Sequence, residues 1–280
     1  MSWAAVAKKD FQDAVRSRAL WGLSVVFLLF ALVLTYAYIN IEGLSQVGSQ
    51  SGLGLALFLS GIAGLFVSIA AILVAYKALA GERESGSIKL LLGLPHTRTD
   101  VVIGKVVGRS GVLMLPLLVA FLLAGVYAGV SLDQFAAIDY LIFVFMTLIL
   151  ALTYVSIVVG ISSSTGSTSR ASALAIGFLL LFELIWDGVT FGIAYVTNGF
   201  AFPTSMPDWM FLLDQLPPSS AYGISLYAVI PEAEKSQAAT ATFQQIDAFY
   251  GTPWLGVVVL LFWIVVPVAI GLQRFNSADL

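Results

Sequence analysis

The hydrophobic pattern of this chain consists of six long apolar runs separated by shorter polar segments. A helix needs roughly 20 apolar residues to cross the hydrocarbon core of a bilayer, and each run has about that length. The pattern therefore predicts an all-α polytopic membrane protein with a single membrane domain over residues 1–280. The predicted spans are residues 20–39, 53–74, 112–130, 140–161, 171–195 and 254–272.

An amphipathic segment, residues 1–18, precedes the first span. Its apolar residues fall near one helical face, although Asp10 intrudes beside them. We predict an N-terminal interfacial helix that lies on the membrane surface with its cations toward the lipid headgroups. The alternative interpretation is a charged N-terminal tail without a defined position.

The largest region outside the predicted spans is residues 197–252, which five prolines interrupt. Proline lacks a backbone N–H and breaks or kinks a helix. We therefore predict broken extracellular helices before the last span, rather than a folded extracellular domain.

A hydrophilic, basic hairpin, residues 76–109, separates the second and third spans. Gly81 is the predicted end of the preceding helix, and residues 82–94 are predicted to form one short helix that Pro95 ends. Residues 97–100 have a capping-type sequence that starts the next helix. In the short helix, Ile88, Leu91 and Leu92 form one apolar face, while Glu82, Arg83, Glu84 and Lys89 stay polar. This hairpin is either a docking surface for a cytosolic partner or an ordinary charged connector.

Composition supports the membrane assignment and excludes several kinds of site. The chain is 59% hydrophobic and 10% charged, whereas soluble domains are about a quarter charged. It has no cysteine, which excludes disulfides and thiolate sites. Its single histidine, His96, excludes a histidine-cluster metal site. We therefore expect no metal and no nucleic-acid partner.

The distribution of cations predicts the orientation of the chain. With six spans and both termini on one side, twelve of the thirteen lysines and arginines share that side, and only Lys235 lies opposite. An excess of Lys and Arg marks cytoplasmic loops, so we expect a multi-pass protein of the plasma membrane with both termini in the cytoplasm. The cations on this side are Lys8, Lys9, Arg16, Arg18, Lys77, Arg83, Lys89, Arg98, Lys105, Arg109, Arg170 and Arg274.

Two carboxylates, Glu183 and Asp187, fall inside the predicted fifth span. Their spacing of four places them on one face of a helix. Carboxylates within a membrane are costly and usually face a protein interior or an aqueous path, so they are candidates for a polar conduit lining. The alternatives are that Asp187 lies at the outer interface and that Glu183 is hydrogen-bonded to a neighbouring helix.

The hairpin sequence carries a resemblance to a known family. Residues 80–95 read AGERESGSIKLLLGLP and residues 97–105 read TRTDVVIGK. This resembles the signature of ABC-2 type transporter permeases: Gly-Glu-Arg-Glu-x-Gly-(Thr/Ser), an apolar run, a proline and then Gly-Lys. The resemblance implies that residues 82–94 are a coupling helix received by a separate ATP-binding subunit, with residues 3–18 as a connecting helix beside it. The coupling residues that it implies are Gly81, Glu82, Arg83, Glu84, Gly86, Ile88, Lys89, Leu91, Leu92 and Pro95.

The family resemblance further implies a permease pair, homodimeric or heterodimeric, that works with two ATPases as an exporter. No G-x-x-x-x-G-K-[ST] phosphate-binding sequence occurs, because Val106 follows Gly104 and Lys105. ATP and Mg²⁺ are therefore expected on the partner, and this chain is expected to bind no cofactor and to be no enzyme. Residues 216–222 also loosely resemble permeases associated with copper and nitrous-oxide-reductase maturation. The alternative functions are an intramembrane enzyme using Glu183 and Asp187 as an acid/base pair, and a membrane anchor or sensor that does not transport.

Overall fold

The structure is a computed structural model that describes residues 3–41, 44, 52–92, 97–201, 207–234, 243 and 251–278. These residues form helices, and the described ranges contain no strand. The helices are α1 (Trp3–Val15), α2 (Arg18–Asn40), α3 (Gly52–Ala75), α4 (Ala80–Glu84), α5 (Ser87–Leu92), α6 (Arg98–Ser131), α7 (Ala137–Ser163), α8 (Thr168–Leu179), α9 (Trp186–Thr197), α10 (Asp208–Asp214), α11 (Pro218–Val229), α12 (Pro231–Glu234) and α13 (Trp254–Asn276).

Six stretches of the described chain are long and apolar enough to cross a membrane, which confirms the prediction of six transmembrane helices. They are α2, α3, α6, α7, the α8–α9 stretch and α13. Helix α6 has 34 residues, a length of about 51 Å at 1.5 Å per residue. The hydrocarbon core is only about 30 Å thick, so the first three or four turns of α6 extend beyond it as a polar stalk.

Helix α7 is the central helix and packs against α3, α6 and α13. Large side chains such as Tyr140, Phe143 and Tyr154 are buried along it. Small residues allow close approach elsewhere: a Cβ added at Gly160 would collide with the backbone of Pro267 in α13. Helices associate in lipid through such close packing, since no water is excluded there.

The fifth span is not a uniform α-helix. Between α8 and α9, residues Leu180–Ile185 form a π-helical turn. Short π-helical turns within α-helices occur frequently at functional sites. Glu183 lies in this turn, which the sequence pattern did not indicate.

Short helices precede the last span, as predicted, within the described part of residues 197–252. Pro218 occupies the first turn of α11, where its missing N–H costs nothing. Two tryptophans of the spans hold the segment before this helix. Trp186 Nε1 donates to the carbonyl of Leu213 in α10, and Trp263 Nε1 donates to that of Leu216 between α10 and α11, both at 2.8 Å. Helix α11 then packs between α3, α7 and α13, so it belongs to the bundle.

The hairpin differs from its prediction in two ways. Gly81 does not end a helix, because it lies within α4 and its N–H donates to the carbonyl of Lys77 at 3.1 Å. The chain instead turns at residues 76–79, directly after α3. The single helix over 82–94 is also wrong: α4 and α5 are separate helices, and Gly86 between them has φ +75°, which favours glycine.

The predicted start of a helix in the second half of the hairpin is confirmed. Thr97 caps α6 by accepting a hydrogen bond from the backbone of Asp100, whose carboxylate in turn accepts from the backbone of Thr97. This reciprocal pairing is the capping box expected from the sequence. Pro95 and His96 lie outside the described residues.

Candidate functional site

The charged side chains of α4 fasten this short helix to the turn between α7 and α8. Arg83 Nη1 donates to the carbonyl of Ser163 at 3.3 Å, and Glu84 Oε2 accepts from the backbone N–H of Thr168 at 2.9 Å. Thr168 is the first residue of α8, where the helix dipole favours a negative charge. Hydrogen bonds from the side chain and backbone of Thr168 lower the pKa of the Glu84 carboxyl, so it is ionised at neutral pH.

The turn that leads into α4 is held by one buried hydroxyl near the end of α7. Ser162 Oγ accepts hydrogen bonds from the backbone N–H groups of Leu79 and Ala80, at 3.1 and 3.0 Å, and donates to the carbonyl of Tyr76 at 2.8 Å. The first N–H groups of a helix have no partner within that helix. Ser162 supplies this partner, and it thereby fixes where α4 begins.

The remaining charged side chain of α4, Glu82, belongs to a group of four residues that we call the ion cluster: Asp10, Glu82, Lys105 and Arg109. Lys105 Nζ lies 2.5 Å from Glu82 Oε1 and 2.8 Å from Asp10 Oδ1. Arg109 Nε lies 2.8 Å from Asp10 Oδ2, and its Nη2 donates to Asp10 Oδ1 at 3.0 Å. Two carboxylates and two cations balance, so the ion cluster is neutral and joins α1, α4 and α6.

The ion cluster is shielded from water at its centre. The side chain of Asp10 is 4% exposed and that of Lys105 is 7% exposed. Arg109 uses its remaining Nη1 to donate to the carbonyl of Val74, at the end of α3, at 3.0 Å. Removing one member of a buried ion pair is strongly destabilising because the other charge is left without a partner. The four residues are therefore expected to act as one structural unit.

Asp10 reaches this position because α1 packs along the polar stalk of α6. A Cβ at Gly104 would lie 2.6 Å from the Cβ of Val6, so the two backbones approach closely only because this residue is glycine. The N-terminal end of α1 is fixed by Trp3, whose backbone N–H donates to Asp100 Oδ1 at 3.1 Å. The predicted helix is thus present, with Asp10 on its packed face. Its position on the membrane surface stays a prediction.

Arg98, the first residue of α6, joins the hairpin to the end of the last span. Its Nη1 donates to the carbonyls of Phe275, Asn276 and Ala278, at 2.5, 2.8 and 3.1 Å. A cation at these carbonyls also interacts favourably with the helix dipole of α13. The guanidinium groups of Arg98 and Arg83 both lie near the buried ring of Phe275, 5.4 and 6.0 Å from its centroid.

The predicted coupling residues divide into two groups in the structure. Glu82 and Arg83 contact other parts of the chain, and the side chain of Ile88 is buried at 1% exposure. Glu84 is exposed although its carboxylate is bonded to Thr168, and Lys89 is exposed. Ser85 and Ser87 are exposed beside them, whereas the side chains of Leu91 and Leu92 lie outside the described set.

Comparison with known proteins decides the family. The sequence model of a family described as "ABC-2 family transporter protein" matches residues 4–280. The chain belongs to the ABC-2 transporter family. Two curated relatives, from Stutzerimonas stutzeri and Pseudomonas aeruginosa, are each described as "Probable ABC transporter permease protein NosY". Each is 28% identical over 218 residues, covering 75% of this chain and 76% of the relative.

This ABC-2 protein is therefore a multi-pass membrane protein and a transmembrane subunit of a transporter. The family match agrees with the resemblance that the hairpin sequence carries. In the structure the Gly-Glu-Arg-Glu signature lies at the base of the bundle, by which we mean the end that carries α4 and α5. The ion cluster itself was missed by the sequence analysis. The spacing of four between Lys105 and Arg109, which puts both cations on one face of α6, was the available signal for a buried partner such as Asp10.

The two intramembrane carboxylates of this ABC-2 subunit have different surroundings. The hydroxyl of Tyr154 in α7 donates to Glu183 Oε1, and the side chain of Ser219 at the start of α11 also hydrogen-bonds to Glu183. Asp187 is exposed on α9. Glu183 thus links the fourth span, the π-helical turn and α11. Among the described contacts, none joins Asp187 to Glu183. That either residue lines a conduit stays a prediction.

Proposed function

We propose that this chain is the permease subunit of an ABC transporter that receives a separate ATP-binding subunit at α4 and α5. One observation carries the proposal: three consecutive charged side chains of α4 bind three different parts of the bundle. Glu82 binds α6, Arg83 binds the end of α7, and Glu84 binds the start of α8. A short helix so connected can pass a displacement from the cytosol to several spans.

The connection extends to the remaining helices that reach the cytoplasmic base. The ion cluster ties α1 and the end of α3 to α6, and Phe275 ties α13 to Arg83 and Arg98. The ion pairs of Lys105 are buried, so separating α4 from α6 is costly, and the hydrogen bonds of Arg83 and Glu84 add to the cost of separating α4 from α7 and α8. The base is therefore expected to move as a unit when a partner pushes on α4.

The remaining features of the proposal come from the family. ATP and Mg²⁺ are bound and hydrolysed on the partner subunit, a second permease copy completes the transporter, and transport is outward. The chain lies in the plasma membrane with both termini in the cytoplasm, as the distribution of its lysines and arginines favours. Glu183 contributes a polar group beside the conduit, at the junction of the fourth span, the fifth span and α11, and Asp187 contributes a second one on α9.

A cross-linking experiment tests the docking site directly, because the chain has no native cysteine. Ser87→Cys places one thiol on the exposed surface of α5, and Asp133→Cys places one on the exposed outer loop as the matched control. Native membranes are treated with a short bifunctional maleimide photo-cross-linker, and the adducts are identified by mass spectrometry.

We expect the Ser87→Cys variant to capture a protein with a G-x-x-x-x-G-K-[ST] sequence and the Asp133→Cys variant to capture none. Adducts of Ser87→Cys without any ATP-binding protein, from membranes that retain transport, would contradict the proposal. So would equal capture by the two variants.

A further inference from the structure

A groove lies between α2 and α3 on the side of the bundle where α1 joins α2. It has a volume of about 750 Å³, within the size range of small-molecule sites. Apolar side chains form its walls, among them Val26, Phe66 and Leu73, which are also exposed on the outer surface of the spans. The rings of Phe30 and Phe66, with centroids 4.2 Å apart, bridge the two helices where the groove ends.

The other end of the groove is polar. Asp10, Asp13 and Arg109 line it. Asp10 and Arg109 are already paired with each other in the ion cluster, whereas Asp13 is exposed and forms no ion pair with any described residue. The accessible charge at this end is therefore a carboxylate. Two exposed cations lie nearby: Arg16 in the turn between α1 and α2, and Arg18 at the first position of α2.

We propose that this groove binds a phospholipid with a primary-amine headgroup from the cytoplasmic leaflet. The apolar walls accommodate an acyl chain, the ammonium group lies at Asp13, and the phosphate faces Arg16 and Arg18. Phosphatidylglycerol lacks the ammonium group, and its headgroup would face an unpaired carboxylate. The leaflet follows from the orientation proposed above, but the site does not depend on the coupling to an ATP-binding subunit.

One residue of α2 allows the groove to be filled without disturbing the protein. Gly22 lines the groove, and a Cβ added there meets no atom within 4 Å. A Gly22→Phe side chain would therefore occupy the space of the acyl chain. Gly61 in α3 is also exposed with open space around it and does not line the groove, so Gly61→Phe is the matched control.

The test is native mass spectrometry of delipidated protein titrated with palmitoyl-oleoyl phosphatidylethanolamine or the matching phosphatidylglycerol. For the unmodified chain we expect phosphatidylethanolamine to bind about two- to fivefold more tightly, the effect of one partly exposed ion pair. Gly22→Phe should weaken its binding by about tenfold or more, as loss of the acyl-chain contacts requires. Gly61→Phe should bind as the unmodified chain does.

A second variant separates headgroup recognition from acyl-chain binding. Asp13→Asn should abolish the preference for phosphatidylethanolamine while phosphatidylglycerol binds at least as well as before. Equal affinity of the unmodified chain for both lipids would overturn the headgroup assignment. Undiminished binding by Gly22→Phe would overturn the site, and a change only in subunit stoichiometry with this variant would show that a second copy of the chain covers the groove.

Discussion

The sharpest test of the structure is the substitution Asp10→Asn. The carboxylate of Asp10 contacts Lys105 Nζ and Arg109 Nε at 2.8 Å each, and it accepts a further hydrogen bond from Arg109 Nη2 at 3.0 Å. Asparagine has almost the same shape but carries no charge, and its amide nitrogen would point a donor at one of the two cations. The ion cluster would then hold two cations against the single carboxylate of Glu82.

The expected cost follows from the burial of this group. Removing one partner of a buried ion pair typically costs about 3–5 kcal/mol. Lys105 keeps Glu82, Arg109 keeps the carbonyl of Val74, and the asparagine oxygen still accepts one hydrogen bond. We therefore expect the lower end, about 3 kcal/mol, which for a globular chain of this size lowers the melting temperature by on the order of 6 °C.

The assay is thermal unfolding of purified protein in detergent, followed by the fluorescence of its six tryptophans. Asp13→Asn is the matched control, because Asp13 is an exposed carboxylate on the same helix. A double-mutant cycle with Lys105→Met adds a second readout. This change removes the excess positive charge that Asp10→Asn leaves in the ion cluster, so it should cost less in the Asp10→Asn background than in the unmodified chain. The free energy of unfolding of Asp13→Asn should lie within roughly 0.5 kcal/mol of that of the unmodified chain, as expected of a surface change. If Asp10→Asn also lies within this range, the buried ion cluster does not stabilise the base of the bundle.

Three further predictions concern α4 and the conduit. Ser162→Ala leaves the N–H groups of Leu79 and Ala80 without a partner, which costs about 1–3 kcal/mol, and it should accelerate amide hydrogen exchange in residues 76–84. Ser164→Ala removes an exposed hydroxyl directly after α7 and should not accelerate it. Glu82→Gln should lower the transport-coupled ATPase activity of the reconstituted complex and leave co-purification of the ATP-binding subunit intact, whereas Lys89→Glu should reduce co-purification. Equal effects of the two variants on co-purification would refute the division between residues bonded within the chain and residues exposed to the partner. Glu183→Ala should impair transport with normal membrane insertion, and unchanged transport by a well-expressed variant would remove Glu183 from the conduit.

The parts of the fold that the sequence predicted well are those set by local pattern. The six spans follow from runs of apolar residues longer than the bilayer core is thick, so their existence depends on no distant contact. The capping box at Thr97 and Asp100 is equally local, since the two residues are three apart. The proline-broken helices before the last span follow from the missing N–H of each proline.

The features that the sequence did not predict depend on residues far apart in the chain. Asp10 lies 95 residues from Lys105 and 99 from Arg109, so the residues around Asp10 could not show which cations pair with it. The prediction that Gly81 ends a helix rested only on the conformational freedom of glycine. The turn occurs earlier because Ser162, more than 80 residues away, bonds the backbone at Tyr76, Leu79 and Ala80.

The inward direction of the α4 charges bears on what the family signature does. If Glu82 and Arg83 were contacts to the partner, their desolvation would have to be offset each time the partner binds, and they would lack partners in the free subunit. Here they are bonded within the chain, so their geometry is independent of the partner. The partner would then bind the exposed groups of the hairpin, such as Ser85, Ser87 and Lys89. The signature would accordingly transmit the motion, while the exposed surface of the hairpin sets the affinity, and the paired Glu82 and Lys89 variants separate these two roles.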